Sequence, residues 1–335
     1  MLKKPKPEIS VIVCHHKGEF IYKFVESVKK SVDVSYEIIV ISSDENVYGN
    51  GIPGCIVFNG PPMPAEKRNI GARIARGNYL AFFDDDVEIS PTCLLELYTN
   101  CGFSMVYGKL HKADERNRFD EAGGYLTSTG FLWSRAGQND LDEGQFDTQE
   151  TILAGKSASC MIHRTLFKKV GGFDEDFEIL GEETDLSWRV WLNGGKVYFV
   201  PSATGIHYFN TKFKPVSKYY TNERVYFNGC RNYITMLIKN LEWRNLSWIL
   251  PQHILIWVIA GFLMLLRGRL KSGLNIFRGL WYIVRNLGMI LEKRRKVQSS
   301  RAKSDGECWT HIYRRPPKGY YIQRFTKYIT GSLHG

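Results

Sequence analysis

The stretch Tyr79-Leu80-Ala81-Phe82-Phe83-Asp84-Asp85-Asp86 constrains this chain more than any other: an apolar, aromatic-rich run stops in three consecutive carboxylates. The apolar part reads as a buried strand, and the acids fall at its carboxyl end. In an open α/β sheet that end is where ligands bind. Adjacent carboxylates repel one another unless positive charge lies among them. A divalent cation holding a phosphorylated substrate meets that need, because hard cations take oxygen ligands and bridge phosphates. A solvated acidic turn is the plainer reading, but it does not account for so apolar a run leading into it.

Up to about His207 the chain alternates strand-like and helix-like segments. Ile9 to Cys14 is a short apolar run, followed by a helical pattern with Phe20, Phe24 and Val28. Glu37 to Ile41 and the weaker Cys55 to Phe58 read as strands. Pro64 to Arg76 reads as a helix with Ile70, Ile74 and Ala75 inward. This βαβ rhythm predicts an α/β fold with a mostly parallel sheet flanked by helices. Asp114 to Glu150 is polar and rich in Gly, Asp and Asn, which predicts a long excursion of the functional kind. Ala158 to His163 and Val197 to Val200 complete the strands. Asp185 to Leu192 reads as a helix ended by Gly194-Gly195.

The net charge of +11 is unevenly placed: residues 237–303 hold 13 Lys and Arg against 2 Asp and Glu, and the rest of the chain is neutral. The same region is the most apolar in the chain. That pairing suits an anionic membrane surface better than nucleic acid, and no nucleic-acid partner is expected. A long helix is predicted over 218–240. Leu246 to Leu266 then runs 21 residues without Asp, Glu, Lys or Arg, about 31 Å as a helix. One crossing from a catalytic domain inside the cell would export Arg267, Arg269, Lys271 and the Lys293 to Lys296 cluster, against the positive-inside tendency. A return crossing would bury Arg278 and Arg285. The next segment repeats Leu274, Phe277, Trp281, Val284 and Leu291 on one face, with Arg278 and Arg285 on another. A peripheral, monotopic attachment is therefore expected, with a single span or a helical subdomain packed on protein as alternatives. The final stretch mixes Trp309, Tyr313, Tyr320, Tyr321 and Phe325 with basic residues. Seven cysteines in odd count, without a CxxC pair, fit reduced thiols in the cytosol, and no secretory signal is visible at Met1-Leu2-Lys3-Lys4-Pro5.

Other motifs carry chemistry. Arg68 and Asn69 lie upstream of the acidic strand, where an Arg can bond phosphate or a carboxylate bidentately. Gly171-Gly172-Phe173-Asp174-Glu175 and Gly181-Glu182-Glu183-Thr184-Asp185-Leu186 follow downstream. Helix capping explains one acid there, but not three within four residues, so the cluster can supply a general base. His207, after a predicted strand, is a possible metal ligand or a simple core residue.

In order and spacing these pieces resemble the inverting family-2 glycosyltransferases of GT-A fold, from Ile9 to about His207, and more loosely the bacterial and archaeal enzymes of surface-polysaccharide or lipid-linked glycan synthesis. The resemblance implies a catalytic domain over 1–210, with a nucleotide-sugar half at 1–110 and an acceptor half at 111–210. A connecting helix at 211–245, membrane-associating helices at 246–300 and an aromatic, basic tail at 301–335 would follow. It implies that Asp84, Asp85 and Asp86 match the DxD motif, with Asp84 toward the nucleotide sugar and Asp86 as a Mn²⁺ or Mg²⁺ ligand. His207 would be a further ligand. Cys14, His15 and His16 would line the nucleotide pocket. Glu183 takes the place of the catalytic base, with Asp185 and Arg189 supporting it. The expected donor is a UDP-, GDP- or dTDP-linked sugar, the acceptor a glycan or lipid-linked glycan, and the location the cytoplasmic face of the membrane.

The chain departs from that pattern in three places. The second strand ends Ile41-Ser42-Ser43-Asp44 where the family usually has an Asp, so either Asp44 or the serines meet the nucleotide. The base position is Glu183 rather than Asp, which leaves Glu182 and Asp185 as rivals. Ser157-Ala158 stands where Gly-Ala is common. Two alternative functions remain: a non-catalytic assembly or glycan-binding subunit, and a sugar-phosphate nucleotidyltransferase. The latter usually needs a Gly-rich basic loop, but Cys14 to Glu19 holds a single Gly.

Overall fold

The computed structural model describes residues 6–137, 140–209, 222–323 and 326. The chain first lays down β1 (Ile9–His15), β2 (Tyr36–Ser42), β3 (Ile56–Asn59) and β4 (Tyr79–Asp84), linked by α1 (Phe20–Lys29), α2 (Glu45–Asn50) and α3 (Pro64–Ile74). β1 pairs in parallel with β2 on one side and β4 on the other, setting His15 opposite Ser42 and Cys14 opposite Asp84. The chain winds outward through β2 and β3, then returns to the far side of β1. The winding thus reverses at β1 and β4, and in such sheets ligands bind beyond the carboxyl ends of the strands at that point.

β5 (Val87–Ile89), α4 (Cys93–Cys101) and β6 (Met105–Lys112) come next. The polar excursion follows, with short strands of its own: β7 (Phe119–Glu121), β8 (Gly124–Leu126), β9 (Leu132–Ser134) and β10 (Glu150–Thr151). β11 (Ser159–His163), α5 (Arg164–Lys169), α6 (Glu182–Leu192) and β12 (Val197–His207) complete the α/β part. The main sheet runs β10-β12-β6-β11-β4-β1-β2-β3. Parallel pairing holds from β3 to β4 and between β6 and β12, but β11 enters antiparallel to both β4 and β6. The excursion delivers β11 instead of a crossover helix, so no βαβ geometry dictates its direction.

Alternation along the central strands feeds two cores. Ile12, Leu80 and Phe82 face one side of the sheet, and Val11, Val13, Ala81 and Phe83 the other. α3 differs from the sequence expectation. Its buried face is Ala65, Lys67, Arg68, Gly71 and Ala72, whereas Ile74 is exposed. A Cβ on Gly71 would sit 2.4 Å from the Ile12 side chain, so only glycine lets α3 approach β1 this closely. That approach brings Lys67 and Arg68 under the strand ends.

Helices α7 (Asn222–Asn240), α8 (Trp243–Leu266), α9 (Leu270–Arg285), α10 (Leu287–Ser299) and α11 (Asp305–Ile312) follow. The boundary read at Lys214-Pro215, the start of the helix expected from 218, and Phe325 lie outside the described residues. The helical region shares its core with the sheet: Tyr226, Ile234, Leu237 and Ile249 belong to one cluster with Leu126, Phe131 and Trp188. In α9 the packed face is Gly273, Ile276, Gly279 and Ile283. Leu274, Trp281 and Val284, of the apolar face expected to lie against a membrane, are exposed. The two glycines decide this: a Cβ on Gly273 would lie 2.9 Å from the Gly261 carbonyl, and one on Gly279 would lie 3.1 Å from the Phe227 carbonyl. α9 thus rests backbone-close on α8 and α7 through its small residues, and its larger ones face outward.

Candidate active site

The acid triplet splits three ways. Asp84 closes β4, and Asp85 and Asp86 form the turn into β5. Asp84 Oδ1 accepts a bond from Arg68 Nη2 at 2.9 Å. Asp85 lies 2.7 Å from His15 Nδ1. Asp86 is buried and faces His207 Nε2 at 3.3 Å. Ligand atoms of Asp84, Asp86 and His207 all lie within 4.8 Å of one another, a group able to hold a metal ion, and Asp85 stands outside it.

His207 ends β12 and reaches the triplet because β12 pairs with β5, setting His207 opposite Val87. Its Nδ1 lies 2.7 Å from Asp120 Oδ2 on β7, and Asp120 Oδ1 accepts from Lys156 Nζ at 2.8 Å. A carboxylate on one ring nitrogen fixes the tautomer and turns the other toward a metal. Buried His207 Nε2 has the Asp86 carboxylate at 3.3 Å as its partner among the described residues, and it would be a ligand to a divalent cation beside Asp84 and Asp86. The donor set of two carboxylates and an imidazole fits Mn²⁺ and, less well, Mg²⁺. Burial opposes the imidazolium in the metal-free protein, but the charges of Asp120 and Asp86 outweigh it and push His207 up to about 10. Burial also opposes the Asp120 carboxylate, yet Lys156 and His207 hold it well below the usual range.

The ends of β1 and β2 form the neighbouring wall. His16 Nδ1 lies 3.0 Å from Ser43 Oγ, and buried Lys67 donates to the His15 carbonyl and, at 3.0 Å, to Ser43 Oγ. Ser42 Oγ accepts from the Asp44 amide at 3.0 Å. Asp44 Oδ1 caps α2 by accepting from the Asn46 amide at 3.0 Å, and its Oδ2 stands 4.0 Å from His15 Nε2. Cys14 is an unlikely nucleophile on chemical grounds: burial pushes its thiol up to about 11.

The three acids of α6 have different fates. The helix begins at Glu182, earlier than expected, because Gly181 enters it at φ 90°. Glu182 Oε1 accepts from Arg68 Nη1 at 3.0 Å, so Arg68 ties α6 to Asp84. Asp185 is fully buried and accepts from Arg189 Nε at 2.9 Å, Lys239 Nζ at 3.0 Å and Asn240 Nδ2 at 3.1 Å. Glu183 forms no ion pair with a Lys, Arg or His among the described residues; its carboxylate accepts a 3.3 Å bond from Thr184 Oγ1. Burial and the adjacent Glu182 push the Glu183 carboxyl well above the usual range.

The structure therefore gathers His15, His16, Ser42, Asp44, Arg68, Asp84, Asp85, Asp86, Glu182, Glu183 and His207 at the carboxyl ends of β1, β2, β4 and β12 and the start of α6. It does not bring Asn69 there. The Asn69 amide donates to the Phe173 carbonyl at 2.9 Å and to Glu175 Oε1 at 2.8 Å, clamping the Gly171–Glu175 turn. Asp185 is likewise occupied in holding α6 to α7. Sequence reasoning missed Lys67, Lys156 and the link from Asp120 to His207. A lysine beside other polar residues reads as solvated, yet Lys67 is 1% exposed. The Asp120–His207 pair spans 87 positions, with no local signal at either end.

Residues 10–170 match the family described as Glycosyl transferase family 2, and residues 144–291 match Glycosyl transferase family group 2. Among curated proteins, polypeptide N-acetylgalactosaminyltransferase 6 of Bos taurus is 29% identical over 134 residues, covering 38% of this chain and 20% of its own length. N-acetylgalactosaminyltransferase 4 of Drosophila melanogaster is 25% identical over 162 residues, covering 44% of this chain and 24% of its own. The chain spans 15–37% of the length of the curated relatives it matches. A solved structure of GalNAc-T7 with UDP, GalNAc and Mn²⁺ superposes with a TM-score of 0.54 at 19% identity, covering 71% of this chain and 48% of that one. The chain thus has a GT-A fold, and two overlapping glycosyltransferase family models match parts of it.

Proposed function

We propose that the protein moves a sugar from a nucleotide-sugar donor to a hydroxyl of a glycan or lipid-linked acceptor, with inversion and with the help of a divalent cation. The convergence of Asp84, Asp86 and His207 at the winding reversal carries this reading. The cation bound there would neutralise the diphosphate leaving group. Every other role falls to the chain itself. Asp120 holds the His207 ring in place through Nδ1. Lys67, His15, His16, Ser43 and Asp44 line the side expected to take the nucleoside. Arg68 balances Asp84 and Glu182 and fixes α6 against the triplet.

Glu183 is the base in this reading, since Glu182 is bonded to Arg68 and Asp185 is buried among Arg189, Lys239 and Asn240. Burial and the adjacent Glu182 raise its carboxyl, and a raised carboxylate is a stronger base. The acceptor hydroxyl gives its proton to Glu183 as its oxygen bonds to the anomeric carbon. The bond to the nucleoside diphosphate breaks on the opposite face. A single displacement of this kind inverts the anomeric configuration.

The structural neighbour was solved with UDP, GalNAc and Mn²⁺, so UDP-N-acetylgalactosamine heads the donors to test. The seven unpaired cysteines suit a reducing compartment, which supports work on the cytoplasmic side of a membrane. The test incubates purified protein with Mn²⁺ or Mg²⁺ and UDP-, GDP- and dTDP-sugars, and follows nucleotide release beside an Asp86→Ala variant. Metal-dependent release from one donor, lost in the variant, is expected. Proton NMR of the product gives its anomeric configuration, and retention would refute the inverting step. Absence of both turnover and donor binding by calorimetry would refute the reading as a whole.

A further inference from the structure

The α8–α9 hairpin presents one packed and one open face. On α8, Leu246, Ile249, His253, Trp257, Ala260, Gly261 and Met264 are buried, a stripe that runs almost the whole helix. His253 anchors its middle: Nδ1 donates to the Thr129 carbonyl at 2.8 Å, Nε2 accepts from Trp257 Nε1 at 3.0 Å, and the ring stacks on Phe131 with centroids 4.0 Å apart. Thr129 and Phe131 belong to the excursion of the catalytic part. A helix fixed lengthwise to a polar domain cannot cross a bilayer without drawing that domain into hydrocarbon. Its 24 residues and mean hydropathy of 2.1 are enough to span, but its packing does not permit it.

The open face is apolar. Leu255, Phe262 and Leu266 on α8, with Leu274, Trp281 and Val284 on α9, are each 52–82% exposed. Such a concentration of large exposed apolar side chains marks a binding surface. Cations are interleaved with it: Leu274, Arg278, Trp281 and Arg285 follow one another along the exposed stripe of α9, and Arg267 and Lys271 are exposed at the hairpin. From Trp243 to Leu291 there is no Asp or Glu. The centre of a protein interface is depleted in charge, whereas a lipid surface accepts Arg and Lys that bury their stems and raise their heads to phosphate.

We propose that the α8–α9 face docks in the plane of an anionic membrane, with α8 lying along the bilayer and the catalytic site outside it. This rests on the hairpin alone and does not depend on the reaction proposed above. The experiment sediments the full-length protein with phosphatidylcholine vesicles with and without phosphatidylglycerol. Two variants accompany it: Phe262→Ser/Leu274→Ser/Trp281→Ser, and Arg278→Gln/Arg285→Gln. All five positions are exposed, and unchanged thermal melting confirms that the fold is intact. Binding to the anionic vesicles only is expected, abolished in the triple variant. The double variant should bind roughly 25-fold more weakly, at about 1 kcal/mol per cation near the surface. Alkaline carbonate should release the bound protein. The proposal is overturned if the wild type ignores anionic vesicles, if the triple variant binds like the wild type, if carbonate fails to extract the protein, or if sedimentation velocity shows this face occupied by a second copy.

Discussion

Replacing Glu183 with Gln should separate catalysis from stability. A positioned general base contributes about 10²–10⁴-fold, so kcat should fall by that factor, equivalent to about 3–5 kcal/mol in the barrier. Donor affinity should not change, because Glu183 touches neither the metal cluster nor the nucleotide wall. Stability should hold or rise. Burial and Glu182 raise the Glu183 pKa on folding. A carboxyl raised in this way contributes stability that is complete below its unfolded pKa and is lost as the pH rises through its folded value. The Gln variant lacks that slope, so its advantage over the wild type in urea should grow as the pH rises from the unfolded pKa through the folded one. Wild-type turnover should climb across the same interval as Glu183 ionises. Asp185→Asn provides the contrast. Asp185 is fully buried between Arg189 and Lys239, and breaking such a group costs about 3–5 kcal/mol of stability. Chemical denaturation and single-turnover kinetics on both variants decide the matter. Near-normal kcat in Glu183→Gln, with a collapse in a folded Asp185→Asn, would refute the assignment of the base.

Three further outcomes follow from the same geometry. In Asp120→Asn the Mn²⁺ affinity at high pH should fall about 10–100-fold, as for other outer partners of metal-bound His. Calorimetry across pH should show wild-type affinity rising with pH, since cation binding displaces the His207 proton, with a flatter rise in the variant. Arg68→Met leaves Asp84 and Glu182 without their shared cation and should cost about 3–5 kcal/mol. Mn²⁺ should restore part of that loss in urea titrations, and an unchanged midpoint would count against the bridge. Adding EDTA to the wild type should lower its melting temperature if the cluster holds a resident cation, with no further drop in Asp86→Ala.

Much of the parallel part of the sheet was legible because strand ends are points of low ambiguity. The buried run of β4 fixes where Asp84 must emerge, and parallel pairing places the ends of β1 and β2 beside it. Roles that depend on which distant surface packs against a side chain were not legible. Asn69 looked like a ligand residue because its amide is polar and near the motif, but the turn at Phe173 claims it. Three acids in α6 look alike in sequence, and only Arg68, Lys239 and Arg189 distinguish them. In α9 the apolar stripe of Leu274, Trp281 and Val284 was visible, but the packed side opposite it was not. Glycines compete with large residues for the packed side, and close backbone approach favoured Gly273 and Gly279. The antiparallel entry of β11 had no local signal, because an irregular excursion leaves strand direction free.

The C-terminal helices are as much a part of the catalytic body as the sheet, which limits how their role can be tested. Lys239 of α7 bonds both Asp174 and Asp185. Lys293 of α10 also bonds Asp174, along with Asp176. Arg294 donates to the carbonyls of Ile238 and Leu241 at the end of α7. Asp174 and Asp176 in and after the Gly171–Glu175 turn, and Asp185 in α6, thus draw countercharge from the helical region. Deleting that region would strip Asp174 of both its cations and leave fully buried Asp185 with Arg189 alone, so loss of membrane binding in a truncated chain would report unfolding. Lys239→Met tests the coupling directly. It removes a buried cation shared by two carboxylates and should cost about 3–5 kcal/mol, visible as a lower urea midpoint. Turnover should fall with it, because Asp185 holds α6 and α6 carries Glu183. A variant with an unchanged midpoint and normal turnover would show that the helices are an independent appendage, and truncation would then be a fair test of membrane binding after all.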